Sequence, residues 1–336
     1  MDPTVVAAGI AAGVSVLTLA GTLVAQYLGY RATSRGAEKT ARAQSEQLDL
    51  TLAEQNQQLD RTLAEQRTRT LNERFASAAE QLGSDKPAVR LAGVYAMAGL
   101  ADDWAENAQT CVDVLCAFLR LPYEPDPGQD APEPQRLAFQ AIQEVRHTVI
   151  RVITAHLKKN ATTPWQGLNF DFTGVVFDFD DGDFSNTRFS GCEVYFTGAQ
   201  FCSGKVHFAD AQFCSGRVYF GAAQFSGGKV YFSDAQFCGG EVDFADAQFS
   251  SGTVSFGAAQ FSGGTVSFAG AQFSGGEVYF RTARFSGGTV DFRDARFSGG
   301  TVDFSDAHDW SVPPKFPWTN TPPPGVKLPE EEQSKG

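Results

Sequence analysis

The sequence predicts a two-part chain of mixed α and β structure, in which a helical N-terminal half is followed by a β-solenoid. Three observations support this prediction. Residues 3–30 contain no charged side chain, residues 48–66 repeat a helical phrase at a spacing of eleven, and residues 172–304 repeat phenylalanine at a spacing of twelve. A fixed short period is typical of repeat proteins, whose units stack on their neighbours.

The N-terminal segment, residues 1–30, is predicted to be a transmembrane anchor. Residues 3–30 exceed the roughly 20 apolar residues that cross a bilayer, and Tyr27 and Tyr30 stand at the end as interfacial aromatics do. A cleaved signal peptide would need positive charge before its apolar core, and a buried soluble helix is rarely so long without charge. The pattern around Gly9 and Gly13 fits the small-residue motif of helix dimers.

The orientation follows from the basic residues that come after the anchor. The first four are Arg31, Arg35, Lys39 and Arg42. Because cytoplasmic flanks carry the excess of positive charge, the N-terminus is expected outside the cell. All later segments are then cytoplasmic, on a single-pass protein of the plasma membrane.

Residues 31–82 are predicted to form a helical stalk. The phrase LDLTLAEQ at Leu48 returns as LDRTLAEQ at Leu59, so that Leu48, Leu52, Leu59 and Leu63 form one stripe. An eleven-residue period favours a nearly straight or slightly right-handed coiled coil. A homo-oligomer joined through the stalk is predicted ahead of the alternative, a single amphipathic helix that lies on its own domain.

Residues 83–121 are predicted to form a small helical module, a short HEAT-like pair. The first helix starts after a turn, with Ser84 or Asp85 as its cap and Pro87 in its first turn. Its apolar residues are expected to be mostly buried: Val89, Leu91, Val94, Tyr95, Met97, Ala98 and Leu100. A further helix covers about 108–121, and residues 122–135 form a Pro-rich linker. A helix within residues 136–160 would cap the open end of the solenoid and block edge pairing.

The phenylalanine repeat is the strongest pattern in the chain. Two series of Phe, each with a period of twelve, interleave with gaps of five and seven, giving the unit V-x-F-x-x-A-x-F-x-x-G-x. The Val and Phe of V-x-F point to the same side of an extended strand. Glycine pairs such as Gly227–Gly228 are predicted to mark turns, since glycine tolerates positive φ.

Two units are predicted to form one coil of twenty-four residues. A twelve-residue coil would have to enclose two Phe, a Val and an Ala, and each Phe alone buries ~150–250 Å². The larger coil has room for four inward Phe, two Val and two Ala. Twelve units then make six coils, and the rod is about 29 Å long at the spacing of neighbouring strands.

The segments Phe196–Phe201 and Phe232–Phe237 carry a large apolar residue at a five-residue step and a small residue two positions before it. This pattern resembles the pentapeptide-repeat family. The resemblance implies a right-handed quadrilateral β-helix over residues 167–310. The chain departs from the family's strict five, because gaps of seven occur at the glycine pairs.

Two flanking segments complete this comparison. The stretch EQLGSDKPAVRLAGVYAM, which begins at Glu80, resembles the helical segment before the β-helix in membrane-anchored actinobacterial pentapeptide-repeat proteins. The tail, residues 311–336, is rich in proline and is expected to be disordered or polyproline-like. Trp310, Phe316 and Trp318 are expected to fold back over the last coil.

No catalytic, cofactor-binding or metal-ligating residue is predicted, and the chain is not expected to be an enzyme. His147 and His156 are nine residues apart, and no nucleotide-binding, hydrolase or metalloprotease motif occurs. The recurring acids before the small Ala are expected to be turn caps or a solvated face: Asp210, Asp234, Asp246, Asp294 and Asp306.

The six cysteines include no C-x-x-C pair and no zinc-like spacing: Cys111, Cys116, Cys192, Cys202, Cys214 and Cys238. Cys202, Cys214 and Cys238 share one outward repeat position, which Ser fills in other units. They are predicted to be free thiols, which suit a reducing compartment.

Charge leaves two hypotheses for function. The chain has a net charge of −12, and residues 168–310 hold seventeen acids against eight basic residues, a net of −9. This balance argues against direct binding of nucleic acid. The family resemblance implies that such a rod could imitate DNA and act on gyrase-like targets. The basic residues among the acids, the membrane tether and the Pro-rich tail, which replaces a dimerisation module, favour the other hypothesis: a non-enzymatic scaffold that binds a protein partner.

Overall fold

The computed structural model of the chain describes residues 3–122, 126–178, 182–319 and 321–330, with side chains from residue 19 onward except residues 32 and 34–38. The chain forms two compact units, residues 1–70 and 71–336. The helices in the described part are α1 (Pro3–Leu82), α2 (Pro87–Asp103), the 3-10 helix η1 (Ala105–Asn107), α3 (Ala108–Arg120) and α4 (Glu133–Leu157).

The strands of the repeat region are parallel and pair with strands one coil away. They are β1 (Phe170–Asp171), β2 (Val176–Phe177), β3 (Gly182–Asp183), β4 (Arg188–Phe189), β5 (Cys192–Tyr195), β6 (Gln200–Phe201), β7 (Lys205–His207), β8 (Gln212–Phe213), β9 (Gly216–Tyr219), β10 (Gln224–Tyr231), β11 (Gln236–Asp243), β12 (Gln248–Ser255), β13 (Gln260–Ser267), β14 (Gln272–Tyr279), β15 (Arg284–Asp291), β16 (Arg296–Asp303) and β17 (Val326–Lys327).

Successive long strands alternate between two sheets, and this alternation makes the chain a solenoid. One sheet has the order β1-β5-β9-β11-β13-β15, and the other has the order β17-β16-β14-β12-β10-β6-β2. Phe225 pairs with Phe249, and Phe249 pairs with Phe273, so that one coil takes twenty-four residues. The predicted coil length is confirmed, and the solenoid has about six turns.

The interior of the solenoid is filled by the repeated side chains. Phe232, Phe244, Val242 and Ala235 are at most 1% exposed, and equivalent residues of the other coils are buried in the same way. The rings of Phe232 and Phe256 stack with their centroids 4.8 Å apart, which matches the spacing of neighbouring parallel strands. The predicted phenylalanine core is therefore confirmed, and it leaves the outward positions to interact with other molecules.

The glycine pairs lie inside strands rather than in turns, which corrects the prediction. From β10 onward each strand runs through its pair, and the pairing register shifts there, for example between Cys238 and Glu241. A Cβ atom on Gly264, whose φ is +72°, would lie 2.5 Å from the carbonyl oxygen of Gly240 in the neighbouring coil. Glycine is thus needed for a bulge and for close backbone approach.

The turns fall instead between the first Phe and the Ala of each unit. The second turn residue adopts left-handed backbone geometry, with φ values of 56° at Asp210 and 57° at Asp234 and Asp246. Asp tolerates this region better than most residues. The recurring acids are therefore turn residues.

The described residues of the first unit, 3–70, lie within α1. Among the residues that the structure describes, no helix is both long enough and apolar enough to cross a bilayer. Most of the predicted anchor, together with the motif at Gly9 and Gly13, lies outside the described side chains. The stalk predicted over residues 31–82 is helical, and its described side chains are exposed as far as Thr70 and partly buried from Leu71 onward.

The helical module packs the end of α1, from Leu71, against α2, α3 and α4. The helices predicted near residues 108–121 and 137–157 are confirmed. Two details differ from the predictions. The N-cap of α2 is Lys86, without a side-chain cap, because the chain turns through Ser84 and Asp85 before Pro87 starts the helix. Tyr95 is exposed, since it lies on the side of α2 opposite Met97 and Val94.

Both ends of the solenoid are covered. At the first coil, Gln109 of α3 exchanges two hydrogen bonds with the backbone of Asn169, at 2.9 and 2.8 Å. Arg120 pairs with Asp171. At the last coil, Trp310, Phe316 and Trp318 pack on the final phenylalanines, as predicted. In the described part of the tail, β17 pairs with β16, so these two residues of the segment expected to be disordered or polyproline-like form a strand.

Candidate functional site

The outward positions of V-x-F form two ladders, one on each sheet. The middle residue of this motif points away from the core and repeats in register once per coil. The first ladder is Asp171, Tyr195, Tyr219, Asp243, Ser267 and Asp291. The second ladder is Asp183, His207, Tyr231, Ser255, Tyr279, Asp303 and Lys327.

A surface that we call the tyrosine face combines two residues of the first ladder with the row beside them: Tyr195, Tyr219, Glu193, Arg217 and Glu241. The rings of Tyr195 and Tyr219 stack with centroids 5.1 Å apart and planes at 11°. Arg217 lies between the two acids, 3.5 Å from Glu193 and 3.6 Å from Glu241. The face is thus a half-exposed aromatic platform beside a charge ladder that alternates in sign.

Hydrogen bonding sets the protonation of this face. Tyr195 donates its hydroxyl proton to the Glu193 carboxylate. This bond, together with burial and the negative charge, raises the pKa of Tyr195 to about 12. The hydrogen bond with Tyr219 and the two carboxylates raise the pKa of Arg217. At neutral pH the phenol of Tyr195 is therefore uncharged and the guanidinium of Arg217 is charged.

A surface that we call the lysine face combines two residues of the second ladder with the row beside them: His207, Tyr231, Lys205 and Lys229. Lys229 pairs in register with Lys205, and Tyr231 pairs with His207. The rings of His207 and Tyr231 stack at 5.0 Å and 15°. Both lysines are exposed, and neither forms an ion pair with another described residue. Each face therefore carries its own pair of stacked aromatic rings, and the two faces differ in charge.

The middle coils are much plainer than the coils that carry the two faces. Small hydroxyl residues occupy the corresponding outward positions: Thr253, Ser255, Thr265 and Ser267. Aromatic and charged chemistry returns at Tyr279, whose ring lies 4.7 Å from the Arg281 guanidinium. The large outward side chains of residues 193–241 are therefore separated from those of residues 277–296 by a plainer stretch.

The cysteines do not all remain free thiols as predicted. Cys202 is free and exposed, whereas Cys214 and Cys238 form a disulfide between neighbouring coils. Their spacing of twenty-four residues equals one coil, and this signal in the sequence could have revealed the pair. Cys116 and Cys192 are buried, and burial raises the pKa of these thiols to about 12 and about 11, respectively.

The histidines are dispersed. His156 stacks on Trp165 at 4.0 Å, and Asp102 lies 3.3 Å from His156 and accepts a 2.8 Å hydrogen bond from Trp165. This cluster ties α2 and α4 to the start of the solenoid, and no motif in the sequence pointed to it. Across the described residues, no group of three or more His, Cys, Asp or Glu is arranged to hold a metal ion.

A cavity of about 390 Å³ lies in the helical module. Its walls include Leu82, Phe118 and Ile142, with the guanidinium groups of Arg90 and Arg146 at its polar side. Arg90 donates to the Ser84 carbonyl, and Arg146 donates to the carbonyls of Leu119 and Val176 at 2.7 and 3.0 Å. These arginines thus hold the backbone of the module together and join it to the first coil.

Comparison with known proteins gives no match: no family model matches the sequence, and no curated protein or solved structure matches the chain. The resemblance to pentapeptide repeats therefore stays a prediction beyond the β-solenoid itself. Function has to be inferred from the two faces.

Proposed function

We propose that the chain is a non-enzymatic, membrane-anchored scaffold of the pentapeptide-repeat type, whose β-helix binds a protein partner in the cytoplasm. The contrast between the interior and the exterior supports this proposal. The interior repeats the same Phe, Val and Ala in nearly every coil, whereas the outward residues differ from coil to coil. A rigid core with a varied exterior suits display, and repeat scaffolds use their extended surfaces for binding.

The tyrosine face is the part of the display that we assign to the partner. Tyrosine and arginine are enriched at binding hot spots because they offer large contact areas and several hydrogen-bond donors. Tyr195 and Tyr219 supply the aromatic area, and Arg217 supplies donors at its edge. The stacking of the two rings also lowers the conformational entropy that binding would cost.

The anchor in this proposal rests on the uncharged segment of residues 3–30 and on the basic residues that follow it. A tethered scaffold would recruit its partner to the inner face of the membrane. Extraction with alkaline carbonate tests the tether, since an anchored chain stays in the pellet. Protease digestion of a C-terminally tagged chain on intact spheroplasts tests the orientation, because a cytoplasmic solenoid is protected until lysis.

Site-specific photocrosslinking in cells tests the binding surface. A photoreactive residue in place of Tyr219 is expected to trap a discrete partner, whereas the same residue at Ser267 of the same ladder is expected to trap none. The double variant Tyr195→Ser with Tyr219→Ser should abolish trapping by a photoreactive residue at position 217, because it removes both rings. Serine suits these positions, since Ser267 already occupies the same ladder. Equal trapping at positions 219 and 267, or none at either, would count against the proposal.

The alternative function is mimicry of DNA by an acidic rod, which the net charge of −9 over residues 168–310 favours. Duplex DNA carries a negative charge about every 1.7 Å along its axis. The outward rows do not reproduce this spacing, because Arg217 lies between Glu193 and Glu241 on one sheet. Lys205 and Lys229 flank the ladder on the other sheet. A supercoiling assay decides: inhibition of gyrase by the purified chain at micromolar concentration would favour mimicry over the scaffold.

A further inference from the structure

A stripe of exposed leucines runs along the N-terminal helix between residues 48 and 63. At 3.6 residues per turn the four side chains fall within a sector of about 60°. Their exposed fractions are 59% for Leu48, 47% for Leu52, 56% for Leu59 and 53% for Leu63. Four half-exposed leucines on one side of a helix form an apolar surface that water solvates poorly.

The centre of the stripe is free of charge. Over residues 41–66, the side chains within about 60° of that centre are all uncharged. Besides the leucines they are Ala41, Ser45, Gln55, Asn56 and Gln66. Asp49 lies just outside this sector, about 70° from the centre, and Glu54 and Asp60 lie farther around the helix. The charged side chains of this segment therefore lie beside the stripe rather than on it.

We infer that the stripe binds the same stripe of a second copy of this chain. An uncharged surface of leucine and small polar residues is complementary to itself. The eleven-residue phrase keeps the stripe on one side of a nearly straight helix, and a second copy has the same period over the same length.

The two helices are parallel and in register, and this arrangement rests on the membrane anchor of the proposed function. When two chains are inserted into one membrane in the same orientation, both stalk helices begin at the membrane surface and run in the same direction. In this arrangement each leucine meets its own counterpart, and Gln55 meets Gln55 of the second copy. An antiparallel pair would instead place Leu48 against Leu63 and Leu52 against Leu59.

The interface is small, and the tether compensates for its size. The leucines span about 23 Å of helix, and the uncharged sector spans about 38 Å. Tethering brings both chains to an effective concentration in the millimolar range, at which a short coiled coil forms. Self-association thus doubles the number of solenoids at one site on the membrane.

Crosslinking of introduced cysteines in the full-length chain tests this inference. The background carries Cys202→Ser, Cys214→Ser and Cys238→Ser, because serine already fills this repeat position in other units. Cys111, Cys116 and Cys192 are buried and stay in every variant. Leu48→Cys, Leu59→Cys and Leu63→Cys are each treated with a short bismaleimide in membranes. Leu50→Cys is the matched control, since Leu50 is a leucine of the same helix, is 67% exposed and lies off the stripe.

The expected result is a covalent dimer from each stripe variant, formed at least tenfold faster than from Leu50→Cys. Equal rates at positions 50 and 59, or no dimer at 59, would overturn the inference. Crosslinks between Leu48→Cys and Leu63→Cys chains, without same-position crosslinks, would overturn the parallel arrangement.

A second pair of variants keeps the test independent of cysteine chemistry. Leu59→Glu should convert the chain from dimer to monomer in lipid vesicles, measured by single-molecule photobleaching, whereas Leu50→Glu should leave it dimeric. Carbonate extraction of the same samples tests membrane insertion independently of self-association. A chain that is washed from the membrane and still dimerises would overturn the anchor and keep the second copy as the partner.

Discussion

Phe261 and Phe285 lie one coil apart, with ring centroids separated by 4.8 Å and planes within 1° of parallel. The same relation recurs through the solenoid, for example between Phe256 and Phe280. Offset stacking at the spacing of neighbouring strands lets each ring contact the rings above and below it. The repeat therefore builds one continuous aromatic core, and this core keeps the outward ladders in register.

Truncation of one core ring should destabilise the solenoid strongly. Phe256 is fully buried between Phe232 and Phe280. Phe256→Ala is expected to cost about 3–5 kcal/mol of unfolding free energy, since neighbouring coils cannot collapse into the cavity. Urea unfolding followed by circular dichroism measures the loss. Gln260→Ala in the adjacent strand is the control, and a comparable loss there would contradict this account of the core.

The bulge glycines should be intolerant of a side chain. Gly264→Ala places a methyl group 2.5 Å from the Gly240 carbonyl oxygen and requires a φ of +72°. The expected cost is roughly 2 kcal/mol or more from strain and backbone displacement. Gly221→Ala is the matched control, because its nearest contact is 3.6 Å and its φ is not left-handed. Thermal melting of both variants checks the difference, and equal shifts would refute the explanation.

Removal of the disulfide between neighbouring coils should lower the unfolding free energy of the solenoid. A bond between Cys214 and Cys238 closes a loop of twenty-four residues. Loop closure of this length contributes about 3 kcal/mol by restricting the unfolded chain. Under oxidising conditions Cys214→Ser should lose this stabilisation, whereas Cys202→Ser should not. Mass mapping of non-reduced peptides must show the 214–238 link, and its absence would contradict the pairing.

The remaining thiols should differ sharply in reactivity. Burial raises the pKa of Cys116 to about 12 and that of Cys192 to about 11, so that little thiolate forms at pH 8. Cys202 is exposed, and its pKa is raised less by its partial burial and by Asp178. Iodoacetamide at pH 8 should therefore alkylate Cys202 first in the folded chain. Labelling of Cys192 at the same rate would show that the first coils open readily.

The C-terminal cap should lose stability in acid. Burial alone would raise the pKa of Asp303, but hydrogen bonds from Ser305 and the charge of Lys327 outweigh it and lower the pKa. A lowered folded pKa contributes stability that is present above the unfolded value, near 3.9, and is lost as the pH falls through the folded value. Asp303→Asn should therefore cost about 1 kcal/mol at pH 7 and little at pH 2.

Unfolding measurements at the two pH values check this dependence. Asp291→Asn offers a comparison on the other sheet, where Arg293 lowers the pKa through hydrogen bonds in spite of partial burial. Arg293 is exposed, so solvent screens that pair and its removal should cost less. A loss from Asp303→Asn that is the same at pH 7 and pH 2 would show that the effect comes from packing rather than from charge.

The period of the sequence alone determined most of the architecture. Interleaved phenylalanines at steps of five and seven are too bulky for a twelve-residue coil, so the coil of twenty-four residues and its inward set follow from volume. The helices of the module follow from apolar spacing, because α3 and α4 each bury one face. Local period and side-chain size can both be read directly from a sequence.

Tertiary structure decided what depends on the neighbouring coil. Whether Gly264 turns the chain or bulges a strand depends on the carbonyl of Gly240 beside it, not on the preference of glycine for positive φ. Whether two cysteines pair depends on stacking, which brings the Cα atoms of Cys214 and Cys238 to 4.6 Å. Likewise, Tyr195 and Tyr219 form a platform only because the strand register pairs them on the neighbouring strands β5 and β9. These contacts join residues far apart in sequence, so only the folded chain brings them together.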